Sequence, residues 1–267
     1  MSGAAQLLIG CLLACAVAGA GYRARALSTD GAIAAAIVGT AIFGFGGWRW
    51  AAIMVAFFAL SSALSRIGKK RRREAIGVVE KGARRDALQV LANGGVAALV
   101  ALARGAGSES LLLFPAFMGA MAAATADTWS TEIGTLSRTA PRSILTWKVL
   151  QPGWSGGVTL LGFGGAAAGA FVVALIAAVG SSNVAALMVG GLVAGVGGSV
   201  LDSLLGAGVQ RVNRCPRCLT LTEQSVHVCG TRTVLVRGWA FIDNDVVNTL
   251  ATTFGALLGA LIFAALT

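Results

Sequence analysis

Charge is scarce in this chain. Only 12% of its 267 residues are Asp, Glu, Lys or Arg, against 56% apolar residues and 37 glycines, and that balance excludes a soluble domain of this length. The single histidine, His227, lies in a polar loop, so no Ser-His-Asp nucleophile is available. No Walker-type G-x-x-x-x-G-K-[ST] string and no protein-kinase signature occurs, so any nucleotide site is of another kind. No Pro-rich or low-complexity linker divides the sequence, which reads as one membrane domain, 1–267. The first apolar run has no basic residue before it, and Leu12-Leu13-Ala14-Cys15 is a poor lipoprotein cleavage site, so the run is read as a helix and not as a signal peptide.

What is present is apolar and periodic in length. A membrane-spanning helix takes about 20 mostly apolar residues, and eight candidates fall near 4–21, 27–47, 49–66, 86–104, 111–136, 157–180, 184–209 and 246–266. The expected fold class is therefore all-α, a polytopic integral membrane protein of about eight transmembrane helices. Placing the loop after the third span in the cytoplasm puts both termini outside and the loops at about 66–85, 137–156 and 210–245 inside. With that choice, which also puts the short loop after the first span with Arg23 and Arg25 inside, 19 of the 21 Lys and Arg lie inside, leaving only Arg49 and Arg104 outside, as the positive-inside rule requires. The net charge of +10 is then topology, not a nucleic-acid footprint. The expected location is the plasma (inner) membrane, with the polar loops facing the cytoplasm.

Seven of the eleven acidic residues, Asp30, Asp86, Asp127, Glu132, Asp202, Asp243 and Asp245, fall inside or at the edge of apolar spans. A charged carboxylate near a bilayer centre costs roughly 2.5–3.5 kcal/mol on insertion scales, so such groups mark a substrate, ion or metal site. The alternation of spans brings all seven to the cytoplasmic side, in reach of one cavity. Polar residues follow them at helical spacing: Asp86, Gln89 and Asn93, Asp127 and Thr131, Thr128 and Glu132, Asn244 and Asn248. Capping is the competing reading for Asp30, which follows Ser28 and Thr29, and for Asp243 and Asp245. Arg66 to Arg73 reads as an orientation signal touching anionic lipid. Lys81, Arg84 and Arg85 run straight into Asp86 and a helix start, which suits anion binding.

Carboxylates, cations and glycines at a membrane boundary suit chemistry on a phosphorylated substrate with a lipid tail. Phosphoryl transfer needs a divalent metal, oxygen ligands to hold it, and Lys or Arg to offset phosphate charge. A phosphate monoester is already a nucleophile. Gly153, Gly156 and Gly157 open the sixth span, where backbone N–H groups and a helix dipole would meet phosphate.

Several strings resemble one known family. They are Ala126-Asp127-Thr128-Trp129-Ser130-Thr131-Glu132-Ile133-Gly134, then Pro141-Arg142-x-Ile144, then Gly153 with Gly156-Gly157-Val158-Thr159. Lys81-Gly82-Ala83-Arg84-Arg85-Asp86 continues the pattern with Gln89-Val90 and Asn93-Gly94, as do Gly198-Ser199-x-x-Asp202-Ser203-x-x-Gly206-Ala207 with Gln210, Asp243-Asn244-Asp245-x-Val247-Asn248, and Ser28-x-Asp30-Gly31. Together they resemble the transmembrane-protein-19-like membrane family, which includes the plant phytyl-phosphate kinase. The resemblance implies a prenyl-phosphate kinase, moving a phosphoryl group from a nucleoside triphosphate such as CTP to phytyl or another isoprenyl monophosphate. On that basis Asp127, Glu132 and Asp202 are the catalytic, Mg2+-holding candidates, helped by Asp245, Asn244, Asn248 and Asn93. Lys81, Arg84, Arg85, Arg138 and Arg142 are the phosphate clamps, with Gly156, Gly157, Ser199 and Ser203 beside them. The implied partners are an isoprenyl monophosphate, a nucleoside triphosphate and membrane lipid, and no nucleic acid.

Cys215-Pro216-Arg217-Cys218 followed by His227-Val228-Cys229 has the spacing of a Cys3His zinc site, free thiols being the other reading. Such a closed site would staple the 210–245 loop and take no part in catalysis. Two alternatives to the kinase stay open. An ion-coupled transporter also uses intramembrane carboxylates, but places them near mid-bilayer. A lipid-phosphate nucleotidyltransferase would take the same two reactants. Glycine-rich faces such as Gly190-Gly191 and Gly197-Gly198 would allow close packing within the chain or in a homodimer.

Overall fold

The computed structural model describes residues 3–67 and 84–267. Lys81 and most of the first basic loop, expected to clamp phosphate and to orient the chain, lie outside the described residues. Eight helices are formed among the described residues: α1 (Gly3–Arg23), α2 (Thr29–Ala41, continuing through a wider turn over Ile42–Gly46), α3 (Trp48–Ile67), α4 (Ala87–Gly105), α5 (Leu113–Gly134), α6 (Leu160–Ala178), α7 (Val184–Gly208) and α8 (Asn244–Leu266). They match the eight spans expected from apolar runs, with ends shifted by a few residues. Seven of them are long and apolar enough to cross a membrane on those grounds.

The eighth, α5, is the exception, and its position explains why. It carries Asp127, Thr128, Thr131 and Glu132, and packs against α3, α4, α6, α7 and α8, so it does not need an apolar outer face. Its first half is sealed: Phe117, Met118, Ala120, Met121 and Ala122 are fully buried. Lipid-facing leucines and isoleucines stand instead on the surrounding helices, for example Leu12, Ile33, Ile37, Leu99, Leu257 and Leu261. A surface like that would associate in water but suits hydrocarbon.

Hydrophobic contrast does not hold helices together in lipid, so they associate by close packing of small residues. A Cβ on Gly195 would stand 2.5 Å from the Ala170 Cβ, one on Gly191 2.7 Å from the Ala174 Cβ, and one on Gly255 2.6 Å from the Ala123 Cβ. A Cβ on Gly198 would overlap Ala123 and come 3.3 Å from the Ala251 carbonyl. Gly198, Ala123 and Ala251 therefore mark one place where α7, α5 and α8 touch.

The helices alternate in direction, and contacts between their ends confirm it. At one end the Gln6 amide donates to the Gly44 carbonyl (2.9 Å), and the Arg49 guanidinium donates to the Ala177 carbonyl (2.9 Å) while lying 4.8 Å over the Phe114 ring. One of the two basic residues assigned outside is thus bonded into the bundle. At the other end the Ser28 N–H donates to the Arg85 carbonyl and the Arg85 N–H to the Ala26 carbonyl, both 3.0 Å, joining the start of α2 to that of α4. Gly31 permits this, since a Cβ there would strike the Arg85 carbonyl oxygen.

Short strands cover this second end. β1 (Arg142–Ser143) pairs antiparallel with β2 (Gly157–Val158). β3 (Val212–Arg214) is the centre of a three-stranded sheet, flanked by β4 (Leu221–Thr222) and β5 (Val234–Arg237). The two loops interlock: Gly156, at φ +78°, is pressed against Ala207 of α7, where a Cβ would come within 2.5 Å of Ala207. Gly238, at φ +77°, sits against the Gln210 carbonyl. Both positions combine a left-handed backbone with no room for a side chain, which leaves glycine.

Candidate functional site

The seven span-associated carboxylates separate into two sets by what their oxygens touch. Three serve helix starts. Asp86 Oδ1 accepts from the Gln89 N–H (2.9 Å) at the start of α4, and Asp243 Oδ1 accepts from the Asp245 and Val246 N–H groups (both 3.1 Å) at the start of α8. Exposed Asp30 accepts from the Ser28 hydroxyl (2.6 Å) and, through Oδ2, from the Ala87 N–H (3.0 Å), tying α2 to α4. Unpaired N–H groups at a helix start call for such acceptors.

The other four are Asp127, Glu132, Asp202 and Asp245. Their placement follows from the Gly198–Ala123–Ala251 contact. One helical turn towards the loop end, the same faces carry Asp202 on α7, Asp127 on α5 and Asn248 on α8. Likewise, the Thr252 hydroxyl donates to the Ala92 carbonyl (3.1 Å), and one turn below that contact lie Asn248 and Gln89. Asp127, Asp202, Asn248 and Gln89 thus point towards a single region at the loop end. Asp202 lies in Coulombic range of both Asp127 and Glu223. Asp245 and Asn248 are buried in the first turns of α8. On α7, Ser199 is buried about one turn before Asp202, and half-buried Ser203 follows Asp202 directly.

Glu132 faces elsewhere. Five residues from Asp127 is about 140° around a helix, and Glu132 Oε1 accepts from the Ser65 hydroxyl of α3 (2.6 Å). The Trp129 indole N–H donates to the Ser61 hydroxyl on the same side (3.3 Å). The two acids of the Asp127–Glu132 string therefore serve two flanks of α5.

The chemistry of this region is that of unused acceptors. Asp202 Oδ2, Gln89 Oε1 and Asn93 Oδ1 are buried and have no hydrogen-bond donor among the described residues. The Asn93 amide N–H is spent on the Gln89 carbonyl (2.9 Å), and the Asn248 amide on the Asn244 carbonyl (2.7 Å), so both side chains turn oxygen towards their surroundings. Buried oxygens without donors, next to like-charged carboxylates, are costly unless a cation joins them. Hard divalent ions take such oxygen sets, so the residues present fit Mg2+.

An apolar cavity of about 440 Å³ lies beside this region, between α1, α2, α3 and α4. Leu13, Val17, Val38, Phe43, Phe57 and Phe58 are among its walls, Met121 of α5 closes one side, and Arg85, Gln89 and Asn93 form its polar end. The Arg85 guanidinium lies 5.3 Å over the Phe57 ring. A long apolar chamber ending in a cation and two amides is shaped for an amphiphile with an anionic head.

The remaining expected residues lie in the segments that connect the helices. Arg84 and Arg138 are exposed, and Arg142 is held in its own turn, donating to the Trp147 carbonyl (3.0 Å). Gly157 lies in β2, with its N–H already given to the Trp154 carbonyl (3.1 Å), and α6 starts only at Leu160 under a Thr159 cap. Glu223 is a member that the sequence did not reveal. It is buried, accepting from the Ser155 N–H (3.2 Å) and the Gln210 amide (3.1 Å). Its only sequence signal is that it is the sole carboxylate between Asp202 and Asp243.

A second cluster lies in the loop above. The ligand atoms of Cys215, Cys218, His227 and Cys229 all fall within 4.8 Å of one another. A hydrogen bond with the Thr231 hydroxyl, then one with His227, pull the Cys229 thiol down to about 5. The bond with Cys229, then partial desolvation, push Cys218 up to about 11.

Residues 12–256 match the family described as Integral membrane protein DUF92. An uncharacterized membrane protein of Methanocaldococcus jannaschii is 28% identical over 261 residues, covering 98% of this chain and 96% of its own length. Protein PGR of Arabidopsis thaliana is 30% identical over 277 aligned positions, covering 95% of this chain and 94% of its own. An uncharacterized membrane protein of a Synechocystis strain is 27% identical over 226 residues, covering 83% and 77%. No solved structure matches.

Proposed function

For this chain, which belongs to the DUF92 family of integral membrane proteins, we propose the activity of a membrane-embedded prenyl-phosphate kinase. The observation that carries the reading is the meeting of two features at one end of the bundle. Buried oxygens without donors among the described residues belong to Asp202, in Coulombic range of Asp127, and to Gln89 and Asn93, and the last two line the Arg85 end of the apolar cavity. A phosphoryl acceptor with an isoprenyl tail needs both.

In this reading the tail lies in the cavity and the monophosphate sits at Arg85, with Gln89 and Asn93 beside it. One of its oxygens attacks the terminal phosphorus of the nucleoside triphosphate. The new P–O bond forms as the bond to the nucleoside diphosphate breaks, leaving prenyl diphosphate and nucleoside diphosphate. Asp127, Asp202, Asp245 and Asn248 would hold Mg2+, with Asn244 at the start of the same helix, and the ion would supply charge compensation for the phosphate oxygens. Glu132, bonded to Ser65, orients α3 against α5. Arg84, Arg138 and Lys81 attract the nucleotide from solution, and the site faces the cytoplasm, where nucleoside triphosphates are.

The test uses purified protein in nanodiscs with geranylgeranyl or phytyl monophosphate, Mg2+ and each nucleoside triphosphate in turn, with products resolved by mass. Prenyl diphosphate with nucleoside diphosphate supports the kinase. A nucleoside-diphosphate lipid with released pyrophosphate replaces it with nucleotidyl transfer. No turnover from folded protein removes both and leaves ion-coupled transport to be assayed.

A further inference from the structure

We propose that Cys215, Cys218, His227 and Cys229 bind one zinc ion, and that this ion fixes the fold of the loop that covers the membrane site. The proposal stands on the loop's own geometry and does not depend on the reaction catalysed below it. The Cys215 and Cys229 sulfurs are 3.6 Å apart, and His227 Nδ1 is 3.1 Å from the Cys229 sulfur. A tetrahedral zinc with Zn–S near 2.3 Å and Zn–N near 2.0–2.1 Å separates its ligand atoms by about 3.5–3.8 Å, which the Cys215–Cys229 spacing meets and the His227–Cys229 spacing undershoots by a few tenths of an ångström. All four ligand atoms fit within 4.8 Å. The spacing between those two sulfurs is well beyond the roughly 2.05 Å of a disulfide.

The backbone is arranged as two turns that present these ligands. In the first, between β3 and β4, the Cys218 N–H donates to the Cys215 sulfur (3.4 Å) and the Cys215 N–H to the Thr220 carbonyl (2.9 Å). Leu219, at φ +58°, closes that turn. In the second, the Gly230 N–H donates to the His227 carbonyl (2.8 Å), and Gly230 has φ +79°. The far ring nitrogen, His227 Nε2, is 3.2 Å from the Thr220 hydroxyl. That contact leaves Nδ1 as the ligand atom and supplies the outer partner that metal-bound histidines use.

What the ion would hold is Glu223. The first turn leads through β4 directly to Glu223, whose carboxylate binds Ser155 and Gln210 and lies in Coulombic range of Asp202. The sheet is short, with β3 of three residues and β4 of two, so backbone pairing alone fixes this segment weakly. Four protein ligands leave no open coordination position, which makes the ion structural.

Metal analysis of full-length protein purified without a metal-chelating tag tests the site, with hydrogen exchange testing its role. About one zinc per chain is expected, falling below about a tenth in Cys215→Ser/Cys229→Ser. Cobalt-exchanged wild type should show thiolate-to-metal charge transfer, which keeps the test independent of whether the variant folds. Thr220→Val should weaken zinc affinity by about 10- to 100-fold. On chelation, amides of the 210–243 loop should exchange faster while those of α5 and α7 stay protected. Wild-type protein without metal, or with Cys215, Cys218 and Cys229 all freely alkylated after zinc is supplied, overturns the site. Zinc removal with unchanged loop exchange overturns its role.

Discussion

The rim of the bundle and its interior hold the same functional group in two opposite states. At the rim, Asp30, Asp86 and Asp243 each accept backbone N–H bonds at helix starts. In the interior, where α5 and α7 end against α8, Asp202 lies in Coulombic range of Asp127 and keeps a buried oxygen with no donor among the described residues. The difference teaches that a carboxylate near a membrane boundary is not evidence of chemistry until its oxygens are accounted for. A capping carboxylate is satisfied by the fold, whereas Asp202 keeps an acceptor that the proposed reaction can use.

Substitutions can break that comparison. The largest effect is expected from Asp127→Asn and Asp202→Asn, which remove charge with almost no change of shape. Loss of metal-held transition-state stabilisation of several kcal/mol means at least about a hundredfold lower turnover, measured by prenyl diphosphate formation, with helix content by circular dichroism unchanged. Arg85→Ala removes a charged partner of the phosphate, worth about 1.5–3 kcal/mol. It should raise KM for the prenyl monophosphate by about 10- to 150-fold, with a smaller change in kcat. Smallest is the rim: Asp86→Ala and Asp243→Ala should each lower stability by about 1 kcal/mol, seen as earlier thermal unfolding, and leave turnover of folded protein within about twofold. A rim substitution that abolished turnover without unfolding would dissolve the distinction.

Much of the architecture was legible in the sequence, because apolar length and the placement of Lys and Arg are local, additive signals. They located the eight helices formed among the described residues and brought the acidic residues of the spans to one end. They did not show that α5 would be enclosed by its neighbours, since that depends on where Gly195, Gly198 and Gly255 let other helices approach. The direction of Glu132 was available from helix geometry, as five residues turn it away from Asp127, yet its partner Ser65 could come only from the packing of α3. The grouping of Cys215, Cys218, His227 and Cys229 was visible because they lie within 15 residues of one another. Glu223 was not, because a lone carboxylate in a polar loop looks solvated until Ser155 and Gln210 are seen to bury it. The apolar cavity was likewise invisible, because it depends on how four successive helices splay from one another and on where Met121 of α5 closes the gap.

The central claim, that interior carboxylates do chemistry while rim carboxylates build helices, is tested most directly by one paired measurement. Wild type, Asp202→Asn and Asp86→Asn are reconstituted together and assayed for prenyl diphosphate from the same monophosphate, nucleoside triphosphate and Mg2+. The account predicts turnover reduced at least about a hundredfold in Asp202→Asn and within about twofold of wild type in Asp86→Asn. Equal loss in both, from protein that is folded in both, would contradict it.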